Sequence, residues 1–147
     1  MTQTNINKIL DTVGVYVSTT SGVSMMPMLR DRRDTIVVMP VSERLKKYDV
    51  ALYRRGEEYV LHRVIKVLPD SYIIRGDNCI AKEYGITDKD VLGVLVEFYR
   101  GEKHVNVNKR SYKAYSAFIC AVHPLVVLGA RVKARIHRVA SKLRRNK

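Results

Sequence analysis

Asp49-Val-Ala-Leu-Tyr53 and Tyr59-Val-Leu-His-Arg-Val-Ile-Lys-Val67, joined through Arg55-Gly56, are two apolar, β-branched runs separated by turn chemistry. Alternate residues of an extended chain share a face, so Val60, His62 and Val64 point one way and Leu61, Arg63 and Ile65 the other. The gap between the runs is far too short for a crossover helix and fits an antiparallel hairpin. The same texture continues outward. Thr35-Ile-Val-Val-Met39 lies upstream, and Ser71-Tyr-Ile-Ile-Arg75 and Val91-Leu-Gly-Val-Leu-Val-Glu-Phe98 lie downstream. Leu68-Pro69-Asp70 and Arg75-Gly76-Asp77-Asn78 supply the turns between them. Residues 14–108 are therefore expected to form a mainly β, antiparallel domain.

The flanks read as helix. Ile6, Ile9, Leu10, Val13 and Val17 approach the i, i+3, i+4, i+7 pattern, which predicts a short amphipathic helix from about Asn5 to Val13 and leaves the register open beyond Gly14. Ala114 to Ala130 is a stretch of 17 residues without Asp, Glu, Lys or Arg, but it holds Ser116, His123 and Pro124. A bilayer core needs about 20 apolar residues, so this stretch alone falls short, and an in-plane helix or a helical hairpin is expected. Beyond it, Val132, Ile136, Val139, Ala140 and Leu143 share one helical face, while Arg131, Lys133, Arg135, Arg138, Lys142, Arg144 and Arg145 spread over the rest. That is a basic amphipathic helix. The expected division is an N-terminal amphipathic segment (1–13), a β domain (14–108) and a basic, partly apolar helical extension (109–147).

A chain of 147 residues with 46% apolar and 28% charged residues is long enough for one domain with a real core. Its formal charge of +13 is unevenly distributed. Residues 1–100 carry fifteen Lys/Arg against thirteen Asp/Glu, and residues 101–147 carry twelve against one. The cationic character is that of an extension on a near-neutral domain, which fits an anionic surface better than a nucleic-acid-coating globule. No helix-turn-helix, zinc-finger or aromatic RNA-binding signature appears, so nucleic acid is not an expected partner. Cys79 and Cys120 are far apart with no metal-ligand spacing, and both are read as reduced, buried residues; neither metal nor cofactor is expected. Met1 to Leu10 lacks the basic and continuous apolar regions of a cleavable export signal, which predicts a cytoplasmic protein, peripheral at the inner membrane face.

Three short segments carry candidate chemistry. In Ser21-Gly-Val-Ser-Met-Met-Pro-Met-Leu29, Ser24 stands on a bend, with Gly22 allowing close backbone approach and the Ser24 amide available as an oxyanion donor. A serine hydroxyl needs a base to accept its proton. His62 is largely neutral at pH 7 and can serve directly, which an unperturbed lysine cannot. Asp77, in the turn after a strand, could hold the imidazole in its working tautomer. Glu83, Asp88 and Asp90 are competing acids in the next loop.

Taken together, Gly22-Val-Ser24-Met25-Met-Pro27-Met-Leu29 resembles the nucleophile box of type I signal peptidases and the related self-cleaving, LexA-like repressor peptidases. Three further boxes follow in the same order. Tyr48-Asp-Val-Ala-Leu-Tyr53 is similar to a core strand of that family, Tyr59-Val-Leu-His62-Arg63-Val-Ile65 to the strand that holds the base, and Ile73-Ile-Arg-Gly76-Asp77-Asn78 with Asp90-Val-Leu-Gly93 to the G-D-N box and closing strand. The resemblance spans about Gly14 to Tyr99 and implies a signal peptidase/LexA-like antiparallel β fold. His62-Arg63 at the base position is similar to the histidine-type subgroup, which implies Ser24, His62 and an acid rather than a Ser-Lys dyad. Asp77 is the first choice of acid. Glu83, six residues on, where that subgroup tends to carry a second aspartate, is the alternative. Gly22, Ser21 and Met25 are the expected substrate and oxyanion positions. Gly22 occupies the place where many relatives have a serine or threonine.

The implied function is a serine endopeptidase that cleaves a peptide or protein precursor, with an anionic membrane surface as a partner of residues 109–147. Two alternatives remain at this level. One is a self-cleaving regulator, although the chain holds neither an Ala-Gly nor a Cys-Gly dipeptide. The other is a degenerate, nonenzymatic peptidase domain that binds an anionic surface or nucleic acid through its basic tail.

Overall fold

A computed structural model describes residues 6–145, the side chains of 130 and 139–145 excepted. The expected starting residue of the first helix, Asn5, lies outside them, as do residues 1–5 of the stretch read for an export signal and the side chains of Val139, Ala140, Lys142, Leu143, Arg144 and Arg145. The chain begins with a helix, α1 (Ile6–Val13), which buries Ile6 and Leu10 one turn apart. Eight strands follow: β1 (Tyr16–Thr19), β2 (Asp34–Met39), β3 (Val50–Arg55), β4 (Glu58–Val67), β5 (Tyr72–Arg75), β6 (Glu83–Ile86), β7 (Val91–Arg100) and β8 (Lys103–Asn106). A long helix, α2 (Arg110–Arg145), ends the described chain.

All strand pairs are antiparallel, in the order β1-β2-β7-β3-β4-β5-β6, with β8 also on β7. The mainly β, antiparallel expectation therefore holds, and the five anticipated strands appear within a few residues of their expected bounds. Three strands were not anticipated. Tyr16-Val-Ser-Thr19, Glu83-Tyr-Gly-Ile86 and Lys103-His-Val-Asn106 are short and polar or mixed, so their pairing partners rather than their own pattern make them strands. Register shifts at Val37/Val38 and Val64/Lys66 interrupt the ladders, and irregularities of this kind bend and twist a sheet locally.

The sheet is packed on both faces. Val50 and Leu52 of β3 join one cluster with Ile6, Leu10, Phe98 and Tyr112, whereas Ala51 and Tyr53 join the other with Val64, Tyr72 and Ile74. Burial on both sides explains why β3 reads as a continuous apolar run. Each fully buried Leu, Val or Phe side chain contributes about 1.5–3 kcal/mol. The first cluster draws on α1, the sheet and α2 alike, so the expected boundaries at 13/14 and 108/109 are not boundaries of packing.

Residues 110–145 form one helix that continues through Pro124, which overturns the helical hairpin. Its first half lies on the domain through Tyr112, Ser116 and His123, all buried. The opposite side exposes Phe118, Leu125, Val132 and Ile136, spaced i, i+7, i+14 and i+18 and hence on one stripe, with Leu125 as much as 68% exposed. By length and composition Arg110–Arg138 is sufficient to cross a membrane, a longer span than the Ala114–Ala130 stretch that falls short by itself.

Candidate active site

The Ser24 loop joins β1 to β2 and is fixed at its base. Thr20 Oγ1 donates to the Arg30 carbonyl at 2.5 Å, and the Arg32 amide donates back to the Thr20 carbonyl at 2.9 Å. Asp34 accepts from the Arg30 backbone amide, Nε and Nη2 at 2.8–3.0 Å. Burial works to raise the Asp34 pKa, but these bonds and the charges of Arg30 and Arg100 hold it below the ordinary value. Met25, Met28 and Leu29 bury their side chains in the core and pin the loop's far side. At the tip, Gly22 has φ +94°, strained for any residue with a β-carbon, and its amide donates to Asp31 Oδ1 at 2.7 Å. Ser24 follows, half-buried.

His62 comes from β4, where cross-strand pairing sets it opposite Ala51 of β3. The residue is 5% exposed. Nδ1 lies 3.1 Å from Glu83 Oε1 and 3.1 Å from the Tyr53 hydroxyl. A proton on Nδ1 satisfies the carboxylate and leaves Nε2 with its lone pair, the tautomer that a general base requires. Burial lowers the His62 pKa and outweighs the upward pull of Glu83, so the imidazole is neutral at neutral pH. Burial and Glu83 raise the Tyr53 phenol, which stays protonated as a donor. Arg55 Nη1 reaches Glu83 Oε1 at 3.2 Å and restrains the carboxylate from its exposed side.

Gly76 is the point where the two candidates meet. A β-carbon built on it would lie 2.6 Å from the Ser24 carbonyl oxygen, 3.0 Å from His62 Nε2 and 2.7 Å from Cys79 Sγ. The Ser24 backbone and the basic nitrogen of His62 thus flank one position that only glycine leaves open. The Asn78 amide donates to the Ser24 carbonyl at 2.8 Å, and Asn78 Nδ2 donates to the Val23 carbonyl at 3.2 Å, so the turn after β5 holds the serine loop directly.

Asp77, the first choice for the acid, is not on His62. Its carboxylate takes a bidentate pair from Arg63 Nε and Nη2, both at 2.7 Å. The reason is the strand alternation: Arg63 points to the opposite face from His62, is fully buried, and cannot shed its charge, so it requires the carboxylate that the turn supplies. Arg63 Nη1 also donates to Ser116 Oγ at 2.8 Å and the Tyr48 carbonyl at 3.1 Å, tying α2 to the domain. Glu83, the alternative, is the acid at His62. Asp88 accepts from the Tyr72 hydroxyl and Asp90 from Thr87 N and Oγ1, away from the imidazole. Cys79 and Cys120 are free, as expected, but both are half-buried rather than buried.

Ser24 and His62 line one open cleft of about 890 Å³, and Ser21, Gly22 and Met25 line it too. Its walls include β1 on one side and the Glu58–His62 half of β4 on the other. Among the described residues β1 pairs only with β2, and β5 pairs with β4 only from Arg63 onward, so both walls present strand edges unpaired by any described residue. The floor is apolar, with Leu29, Ile36 and Leu52. Reading the sequence missed Tyr53, Gly76, Cys79 and Asn78 as parts of the site. Tyr53 and Gly76 stood inside the quoted boxes, but a contact between β3 and β4, or between a turn and a loop some fifty residues away, has no local pattern. Compared with known proteins, the chain matches no family model and no curated protein sequence.

Proposed function

We propose that the protein is a serine endopeptidase of the signal peptidase/LexA-like fold, with Ser24 as nucleophile, His62 as general base and Glu83 as the acid that orients it. The observation that carries this reading is the convergence at Gly76: the Ser24 backbone and His62 Nε2 border one glycine-sized gap while Glu83 occupies the other ring nitrogen. Ser24 Oγ attacks a peptide carbonyl carbon as His62 Nε2 takes the hydroxyl proton, and the Ser24 amide donates to the oxyanion. His62 returns that proton to the departing amine, leaving an acyl-serine. Water, deprotonated by the same nitrogen, then releases the acid and the free serine. An extended peptide joins the unpaired edges of β1 and β4 through its main chain, and the apolar floor accepts small side chains.

The partner of α2 is, in this reading, an anionic membrane surface on the cytoplasmic side. One stripe of the helix exposes Phe118, Leu125, Val132 and Ile136, and Arg131 and Arg135 flank it. Each cation near anionic lipid contributes about 1 kcal/mol before screening. The test of the enzymatic reading is labelling by a serine-reactive acylating probe, which needs no knowledge of the substrate. The wild-type protein labels, and Ser24→Ala and His62→Ala stay folded with rates lower by roughly 10³ or more. Equal labelling of folded Ser24→Ala overturns the assignment.

A further inference from the structure

Arg75 ends β5 on the side of the sheet that α2 covers. It stands in register with Arg63 of β4 and is 8% exposed. Its Nε is buried with no hydrogen-bond partner among the described residues. The groups that act on it electrostatically are the thiols of Cys120 and Cys79, the carboxylate of Asp77 and the guanidinium of Arg63. Both Asp77 oxygens already accept from Arg63, so the carboxylate that acts on Arg75 is committed to another guanidinium. Lys47 acts on Cys120 and Lys82 on His123, which adds positive charge at the rim of the same interface. A guanidinium cannot deprotonate, and burying it without an anion is costly.

This unmet charge sits where α2 leaves the domain. His123 Nε2 is 2.8 Å from the Cys79 carbonyl oxygen. Immediately beyond it, Leu125, Val126 and Leu128 are exposed. A two-pronged donor beside an emerging apolar helix matches an oxyanion with two accepting oxygens that carries acyl chains. We propose that Arg75, at the β5–α2 interface, binds the phosphate of an anionic phospholipid, an inference that rests on the membrane reading of α2 and is independent of the peptidase chemistry.

The test uses the full chain with vesicles of phosphatidylcholine alone or mixed with phosphatidylglycerol, and with inorganic phosphate as the soluble probe. The wild type cosediments with the mixed vesicles. Arg75→Gln weakens that binding about tenfold or more, whereas Arg135→Gln, an exposed cation on α2, weakens it about fivefold at most and loses its effect as salt is raised. Equal, salt-screened losses for the two variants, or no loss for Arg75→Gln, overturn the proposal. If inorganic phosphate raises the wild-type melting temperature but not that of Arg75→Gln, while vesicle binding is the same for both, the ligand is free phosphate and the lipid assignment falls. Without ligand, Arg75→Gln melts at or above the wild-type temperature, because it removes an unpaired buried charge. A lower melting temperature means that Arg75 is satisfied within the protein, which also overturns the proposal. Binding is read without turnover, so failure here leaves Ser24 labelling untouched, and loss of that labelling leaves this result untouched.

Discussion

The sharpest contrast in the structure is between two carboxylates six residues apart, and substituting each in turn separates their work. In Glu83→Gln the side chain keeps its size but loses its charge, and the amide can donate to His62 Nδ1. That moves the imidazole proton to Nε2, the wrong tautomer for a base. Loss of the orienting acid in a serine triad lowers turnover by up to about 10⁴, so a fall of roughly 10²–10⁴ is expected in the rate of labelling by the acylating probe. The Glu83 side chain is 22% exposed and meets Arg55 at the surface, so folding stability changes by about 1 kcal/mol or less. Asp77→Asn does the reverse. It leaves the fully buried Arg63 guanidinium without its bidentate carboxylate, which costs about 3–5 kcal/mol. With a urea dependence of about 2 kcal/mol per molar, the unfolding midpoint falls by roughly 2 M. The protein that remains folded keeps a labelling rate close to wild type, because His62 and Glu83 are intact. Labelling rates and urea midpoints of the two purified variants give the answer. If Asp77→Asn stays as stable as the wild type and stops labelling, while Glu83→Gln labels normally, the assignment of the acid is wrong.

Three other outcomes follow from the same geometry. Gly76→Ala forces a β-carbon to within 2.6 Å of the Ser24 carbonyl oxygen, a backbone atom that cannot swing away, so stability drops by about 1–3 kcal/mol and labelling slows at least tenfold, as urea unfolding and probe kinetics will record. Burial depresses the His62 pKa, so the acid limb of the labelling rate has its midpoint below the ordinary histidine value of about 6.5; by the same sign, the folded state resists protonation of His62 and loses this contribution to stability as pH falls below 6.5, and a midpoint above 6.5 refutes the burial argument. Leu10→Ala, which empties part of the core beneath the cleft, costs about 2–5 kcal/mol in urea unfolding, whereas a value near zero means that α1 is not part of the domain.

The sequence by itself determined the antiparallel β class, because the two-residue alternation in 59–67 and the apolar run in 49–53 permit little else between such short turns. It also singled out Ser24, His62, Asp77 and Glu83, and set the basic extension apart from a near-neutral domain. It did not anticipate β1, β6 and β8, four-residue segments that become strands because a longer neighbour offers its edge. Nor could it separate the two acids. Asp77 and Glu83 lie on one short stretch of chain, and which of them meets the imidazole depends on the face of β4 to which each returns. The strand alternation was legible, with His62 and Arg63 on opposite sides, but the need of a fully buried Arg63 for a carboxylate exists only once α2 has closed over it. Local pattern records which way a side chain points; what waits there is decided by packing between segments distant in the chain.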